Sequence, residues 1–169
     1  MSNHAIEEAN RCLKCKKPLC REGCPVNTDI PEMARLIQDN KIQAAGEMLF
    51  DNNPLSVVCA LICPHENQCE GHCILNRKGE PIHVSTMEHY VSDYYLCRKK
   101  AQVDKEKLVA NKDKEIAIVG SGPSGLTLAF TMARKGYPVT LFDNHDKIGG
   151  VLRYGIPDFR LPNSLIDRI

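Results

Sequence analysis

The sequence predicts two unlike parts in series. Residues 1–97 read as an all-α half of short helices and ligand loops, and residues 114–169 as the first β-α-β unit of a doubly wound α/β domain. Three observations predict this. All nine cysteines lie in the first part, eight of them in two tight quartets. A polar stretch follows, taken as a linker over 98–113; eleven of the eighteen residues 98–115 are charged. Then the texture changes: a β-branched run leads directly into a glycine-rich turn.

The helices come first. Asp29-Ile30-Pro31 places Pro31 at a first helical position, where its missing N–H leaves nothing unpaired, and Met33, Leu36 and Ile37 recur at helical spacing. A second helix is expected over Ile42–Phe50, stopped by Asn52-Asn53-Pro54, and a third over Leu55–Ile62. A fourth starts near Ser85 and runs past Tyr94. No segment of this half alternates as a strand does.

Between these helices lie the cysteines. The first quartet is Cys12, Cys15, Cys20 and Cys24, spaced C-x2-C-x4-C-x3-C-P; the second is Cys59, Cys63, Cys69 and Cys73, spaced C-x3-C-P-x5-C-x3-C. Thiolates this close can surround a soft metal centre without long-range folding. Three close cysteines and then a Cys-Pro step also mark bacterial iron–sulfur loops, where the cysteine before proline serves the other cluster of a pair. Disulfides fit less well, because the count is odd and MSNHAIEEANR carries no apolar signal segment. Structural zinc stays open, although the C-x2-C half-site is not repeated. His65, His72, His83 and His89 lie near the cysteines and are expected to be solvated or packing residues. Cys97, without a cysteine partner nearby, is expected to be a buried small hydrophobe.

The second part starts with Glu115–Val119, which suits a buried parallel strand. Gly120, Ser121, Gly122, Pro123, Ser124 and Gly125 follow, then a helix through Leu126 and Ala133 that ends at Gly136. Pro138–Phe142 makes a second strand closing on Asp143. This is the dinucleotide fingerprint in its required context. Gly120 permits the tight turn, Gly122 lets the backbone approach a pyrophosphate, and Gly125 allows close helix–strand packing. The helix N-terminus offers free N–H groups to phosphate. Asp143 is placed to accept from a ribose and would repel a 2′-phosphate. Gly149, Gly150 and Val151 follow at the next turn.

Lys+Arg 22 against Asp+Glu 21 gives no field that would favour nucleic acid or an anionic membrane. The longest apolar run, Leu55–Cys63, is far short of the roughly 20 residues a membrane span needs. A cytoplasmic protein is expected.

The motifs CxxCxxxxCxxxCPVxxxIP, NPL…CPxExxCEGHC, GSGPSGL and GG…GIPDFRLP run along essentially the whole chain. Together they resemble the family of the glutamate synthase small (β) subunit, dihydropyrimidine dehydrogenase and the large subunit of NADH-dependent ferredoxin:NADP oxidoreductase. The resemblance implies an α-helical ferredoxin-like domain with two [4Fe–4S] clusters, then a Rossmann-like domain holding FAD. NAD(P)H would bind a domain not in this chain. It implies Cys12, Cys15, Cys20 and Cys73 as ligands of one cluster, and Cys24, Cys63 and Cys69 as ligands of the second.

The second cluster's fourth ligand would be Glu88, a position where relatives carry Gln or Glu. Two rivals stand beside it. Ser85-Thr86-Met87-Glu88 is also a capping-box pattern, and Cys59 would complete an all-cysteine set. Arg160 is implied to reach the flavin. The expected activity is electron transfer from NAD(P)H through FAD and the clusters to a partner subunit or fused domain. The alternatives are pyrimidine reduction and a non-enzymatic zinc-stapled module. One strand–helix–strand unit is not a complete doubly wound sheet, so the chain is expected to be the N-terminal part of a longer polypeptide.

Overall fold

A computed structural model describes residues 2–99 and 113–169. The chain divides after Cys97 into two compact units. Most of the expected linker, 98–113, lies outside the described residues.

The regular structure among the first unit's described residues is all helical: α1 (Ser2–Arg11), α2 (Leu19–Glu22), α3 (Ile30–Gln38), α4 (Ile42–Asn52), α5 (Ser56–Ile62) and α6 (Val84–Lys99). Two short 3-10 turns, His65–Asn67 and Ile74–Arg77, lie between α5 and α6. Asp29 caps α3 by accepting from the Glu32 N–H at 3.3 Å. The first helical residue is therefore Ile30, and Pro31 is the second rather than the first. The first turn still tolerates it, because its N–H would have no helical acceptor. Met33, Leu36 and Ile37 are buried as their spacing implies.

The motif reading passes over α1, whose inward face carries the small Ala5 and Ala9 rather than large apolar residues. Gln38 ties it to α3 by donating to the Ala9 carbonyl at 2.6 Å. On α4, a Cβ at position 46 would stand 2.6 Å from the Tyr95 ring, so Gly46 admits α6. Phe50 and Tyr95 then meet with ring centroids 4.7 Å apart. The hydroxyls of Ser56 and Ser92 share a hydrogen bond of 2.9 Å with no solvent exposure, which fixes α5 on α6.

The second unit holds β1 (Ile116–Val119), α7 (Pro123–Arg134), β2 (Val139–Phe142), α8 (Val151–Tyr154) and α9 (Asn163–Ile166). β1 and β2 are parallel, with Ile116 opposite Val139 and Val119 opposite Phe142. The expectation that β1 is buried needs correction. Ile118 is buried, whereas Val119 is 89% and Phe142 54% exposed. A two-stranded sheet backed by α7 covers one face of the pair and leaves the rest of its apolar surface bare. The architecture is thus a mostly helical unit followed by the opening of a Rossmann-like α/β arrangement.

Candidate functional site

In the first unit Cys12, Cys15, Cys20 and Cys73 line a single cavity of ≈ 260 Å³, with Leu13, Leu19, Pro31, Ile74 and Ile82 supplying apolar walls. These four come from both quartets, so the sequence-distant Cys73 closes a set begun by the first loop. The nine cysteines are all free thiols. Burial pushes Cys20 up to about 11, and it raises Cys12 as well. The Cys15 and Cys73 thiols add to the rise in both. Thiols that make one another harder to ionise form a site which a cation would relieve.

The second group gathers Cys24, Cys59, Cys63, Cys69 and Glu88. The Cys59 thiol hydrogen-bonds to Cys63 and holds it below the ordinary thiol value, while burial, Glu88, Cys69 and Cys24 push the other way. Burial raises Cys69 to about 12, with Glu70, Glu88 and Cys24 contributing. Asn53 donates to the Cys59 sulfur at 3.2 Å. On the loops, a Cβ on Gly23 would meet the His72 ring at 2.5 Å, so Gly23 brings the Cys24 loop against the segment carrying Cys69.

Glu88 is only 6% exposed, with the Cys59 thiol beside it. Burial raises its pKa well above the usual carboxylate value. A carboxylate taken out of water is costly unless its charge is paired, and a metal centre among the neighbouring thiols would pair it. The capping-box pattern is not what the structure forms. Helix α6 begins at Val84, so Ser85 is already inside it. The N–H and hydroxyl of Ser85 donate to Glu70, each at 2.9 Å, and the His83 N–H donates to Glu8 at 2.7 Å. Two carboxylates from elsewhere in the chain thus hold the positive end of α6, and Glu88 is left over. Sequence spacing gives no sign of Glu8 or Glu70, because each acts on a residue far along the chain.

Among the histidines, His65 is buried and its Nε2 has no partner among the described residues, whereas His72 is exposed and pairs through Nδ1 with the Gln68 carbonyl. His83 lies with His4 and Glu8 in a cluster whose ligand atoms are all within 4.8 Å. There Arg11 already holds the Glu8 carboxylate, at 2.8 and 2.9 Å. Cys97 is exposed, which corrects the expectation that it is buried. The inward face of α6 is set by Val91, Ser92, Tyr95 and Leu96, and position 97 falls outside that stripe.

In the second unit the glycines divide by role. Gly120 has φ +98°, and a Cβ on Gly125 would lie 1.9 Å from the Gly120 carbonyl oxygen. Gly122 precedes α7 with open space where its Cβ would be. The Gly149 N–H donates to the Ser121 carbonyl at 2.9 Å, and a Cβ on Gly150 would stand 2.8 Å from the Gly122 Cα. The two glycine segments therefore form one loop cluster, with Pro123, Ser124 and Val151 at the starts of α7 and α8.

Asp143 spans this cluster. One oxygen accepts from the Ser121 N–H and hydroxyl, both at 2.6 Å, and the other from the His145 N–H at 2.9 Å. The Ser121 hydrogen bonds hold its carboxyl far below the usual range, with His145 adding to the effect. Its carboxylate is thus occupied within the protein. Arg160 is exposed on the segment before α9.

Comparison with known proteins agrees with this division. Residues 1–102 match the family described as dihydropyrimidine dehydrogenase domain II, 4Fe-4S cluster, and residues 118–163 match the NAD(P)-binding Rossmann-like domain. The small chain of NADPH glutamate synthase from Halomonas elongata is 36% identical over 97% of this chain and 34% of its own length. The corresponding small chain of Escherichia coli is 35% identical over 97% of this chain and 34% of its own length. The NAD-dependent dihydropyrimidine dehydrogenase subunit PreT of Salmonella typhimurium is 34% identical over 97% of this chain and 39% of its own length. The chain spans little more than a third of these relatives. It belongs to the dihydropyrimidine dehydrogenase domain II, 4Fe-4S cluster family. No helix among the described residues is long and apolar enough to cross a membrane.

Proposed function

We propose that this member of the family is the cluster-bearing part of an NAD(P)H-dependent iron–sulfur flavoprotein oxidoreductase. It would pass electrons to a partner subunit or fused domain, in the manner of the glutamate synthase small subunit. The first unit would be an α-helical ferredoxin-like domain and the second the opening of an FAD-binding Rossmann-like domain.

The observation that carries this reading is the meeting of Cys73 with Cys12, Cys15 and Cys20 around one cavity. A four-cysteine zinc site usually repeats the C-x2-C pair, and here only Cys12 and Cys15 form one. Interleaved loops support paired clusters, in which each loop pins the other. In this reading Cys24, Cys63, Cys69 and Glu88 hold the second cluster. Cys59 stays a thiol that donates to the Cys63 sulfur. When bound, the clusters supply one-electron storage and the flavin the exchange between hydride and single electrons.

The residues around them set the conditions. The Cys59 thiol, itself held by Asn53, places a hydrogen bond on the Cys63 sulfur, a lever on potential. Leu19, Ile82 and Pro31 keep water from the first site. In the second unit the start of α7 presents backbone N–H groups to a pyrophosphate, and Gly122 leaves room for its approach. Asp143 holds Ser121, and so the loop, in shape. A ribose competing for that carboxylate would exchange one set of donors for another.

Iron and acid-labile sulfide analysis of anaerobically purified protein tests the reading. About eight irons per chain are expected, as two four-iron clusters require. Two zinc ions without sulfide would overturn it. Within the second site, Glu88→Ala is expected to lower iron by up to half while Cys59→Ser keeps it. The opposite pattern would make Cys59 the ligand.

A further inference from the structure

We infer that Glu70 is the positioning residue for the Glu88 carboxylate, setting the register of α6 against the cysteine loop. This deepens the proposed function and rests on the reading of Glu88 as a ligand.

Glu70 follows Cys69 directly, in a loop with little freedom. The His65 carbonyl accepts from the N–H groups of Gln68, Glu70 and Gly71 at 3.0–3.2 Å. A side chain at position 71 is barred, since its Cβ would lie 2.0 Å from the Glu66 carbonyl oxygen. From this fixed base one Glu70 oxygen accepts both the N–H and the hydroxyl of Ser85, each at 2.9 Å. Ser85 and Glu88 are three residues apart on α6 and share a face. A hold on Ser85 therefore also sets the height and rotation of Glu88.

Glu8, the other carboxylate at this helix end, reaches the His83 N–H from α1. It anchors the helix to the bundle but not to the ligand loop. Among the described residues, Glu70 joins a position adjacent to a cysteine of the second group to the helix bearing that group's carboxylate. Its own bonds to Ser85 also engage the carboxylate that would otherwise compete beside Cys69. A ligand oxygen needs placement within fractions of an ångström, which the flexible stem of Glu88 does not supply by itself.

The test uses the full chain loaded with isotopically enriched iron. Iron and sulfide content and Mössbauer spectra are read for Glu70→Ala, Glu70→Gln, Ser85→Pro and Glu88→Ala. Glu70→Ala is expected to lose the second cluster, dropping iron by up to half, with the spectrum of the first unchanged. Glu70→Gln keeps an acceptor oxygen and is expected to retain both clusters. Ser85→Pro removes both donors at a place in the first turn where proline is tolerated, and is expected to match Glu70→Ala.

Retention of the second cluster in Ser85→Pro overturns the inference, even where Glu70→Ala fails to fold. Its loss in Glu70→Gln would mean that charge rather than the cap matters, and overturns it too. Glu88→Ala separates the two ideas. Both clusters surviving there sinks the ligand reading itself. Loss there with retention in Glu70→Ala and Ser85→Pro sinks only the positioning role.

Discussion

The two units hold their candidate sites by different means. In the first the chemistry lies in side chains: thiols and one buried carboxyl, carried on helices and loops that bring Cys73 to Cys12. In the second it lies in the main chain, where Gly125 and Gly150 give up side chains so that backbone can approach backbone, and Gly120 and Gly149 adopt positive φ. A side-chain site fails when a ligand is removed. A main-chain site fails when an atom is added.

The comparison is broken most severely at Gly125. Its Cβ would overlap the Gly120 carbonyl at 1.9 Å, and backbone cannot yield as a side-chain tip can. Gly125→Ala is expected to destabilise the second unit by about 1–3 kcal/mol or more, with iron content unchanged. Urea unfolding followed through the second unit, alongside iron analysis, checks both halves. Loss of iron in this variant would show that the two units do not hold their sites separately.

A smaller effect sharpens the side-chain half. Cys20 is raised to about 11 and Cys69 to about 12 in the folded chain, chiefly by burial, from an ordinary value of 9.0. A group with a raised folded pKa adds stability that is full below its unfolded value. That stability is lost as pH climbs through the folded one. The cluster-free, reduced chain is therefore expected to lose stability from about pH 9 up to about pH 11 through Cys20 and about pH 12 through Cys69, by roughly 1 kcal/mol per thiol at pH 10. Bound metal takes the thiolate, so its uptake is favoured in the same direction of pH that weakens the empty fold. Unfolding of the parent and Cys20→Ala at about pH 8 and pH 10 measures the difference. An equal pH dependence in the two would remove the burial argument for that thiol.

These differences also explain what the sequence disclosed. The cysteine quartets and the glycine loop are local patterns, so spacing alone revealed them, and the helices α3, α4 and α5 followed from periodicity and their stops. Glu70, Glu8 and the Ser56–Ser92 contact act between residues fifteen to seventy-five positions apart, and no local pattern encodes such a pairing. The motif Ser85-x-x-Glu88 was locally persuasive and lost to tertiary structure, because Glu70 reached Ser85 first. Residue type favours a buried Cys97, whereas the phase of α6 decides its exposure. Helix α1 escaped because alanines make a weak apolar stripe.

The smallest expected change in stability is at Gly122, and it separates a glycine kept for folding from one kept for a ligand. Gly122 has φ −71° and ψ −173°, values any residue adopts, and its added Cβ meets nothing within 4 Å. Replacing it with alanine removes backbone freedom from the unfolded chain, a gain of about 0.4–1 kcal/mol. Alanine is a poorer N-cap than glycine, which offsets a similar amount. The net change is expected within about 0.5 kcal/mol. On the proposed FAD reading, the same methyl would stand where a pyrophosphate approaches the start of α7, so flavin binding by a polypeptide that completes the domain should fall at least about tenfold. Gly125→Ala would lose flavin through the fold, and Gly122→Ala without touching it. Flavin content measured beside urea unfolding tells them apart. Full flavin occupancy in Gly122→Ala would mean that the pyrophosphate does not lie on this loop.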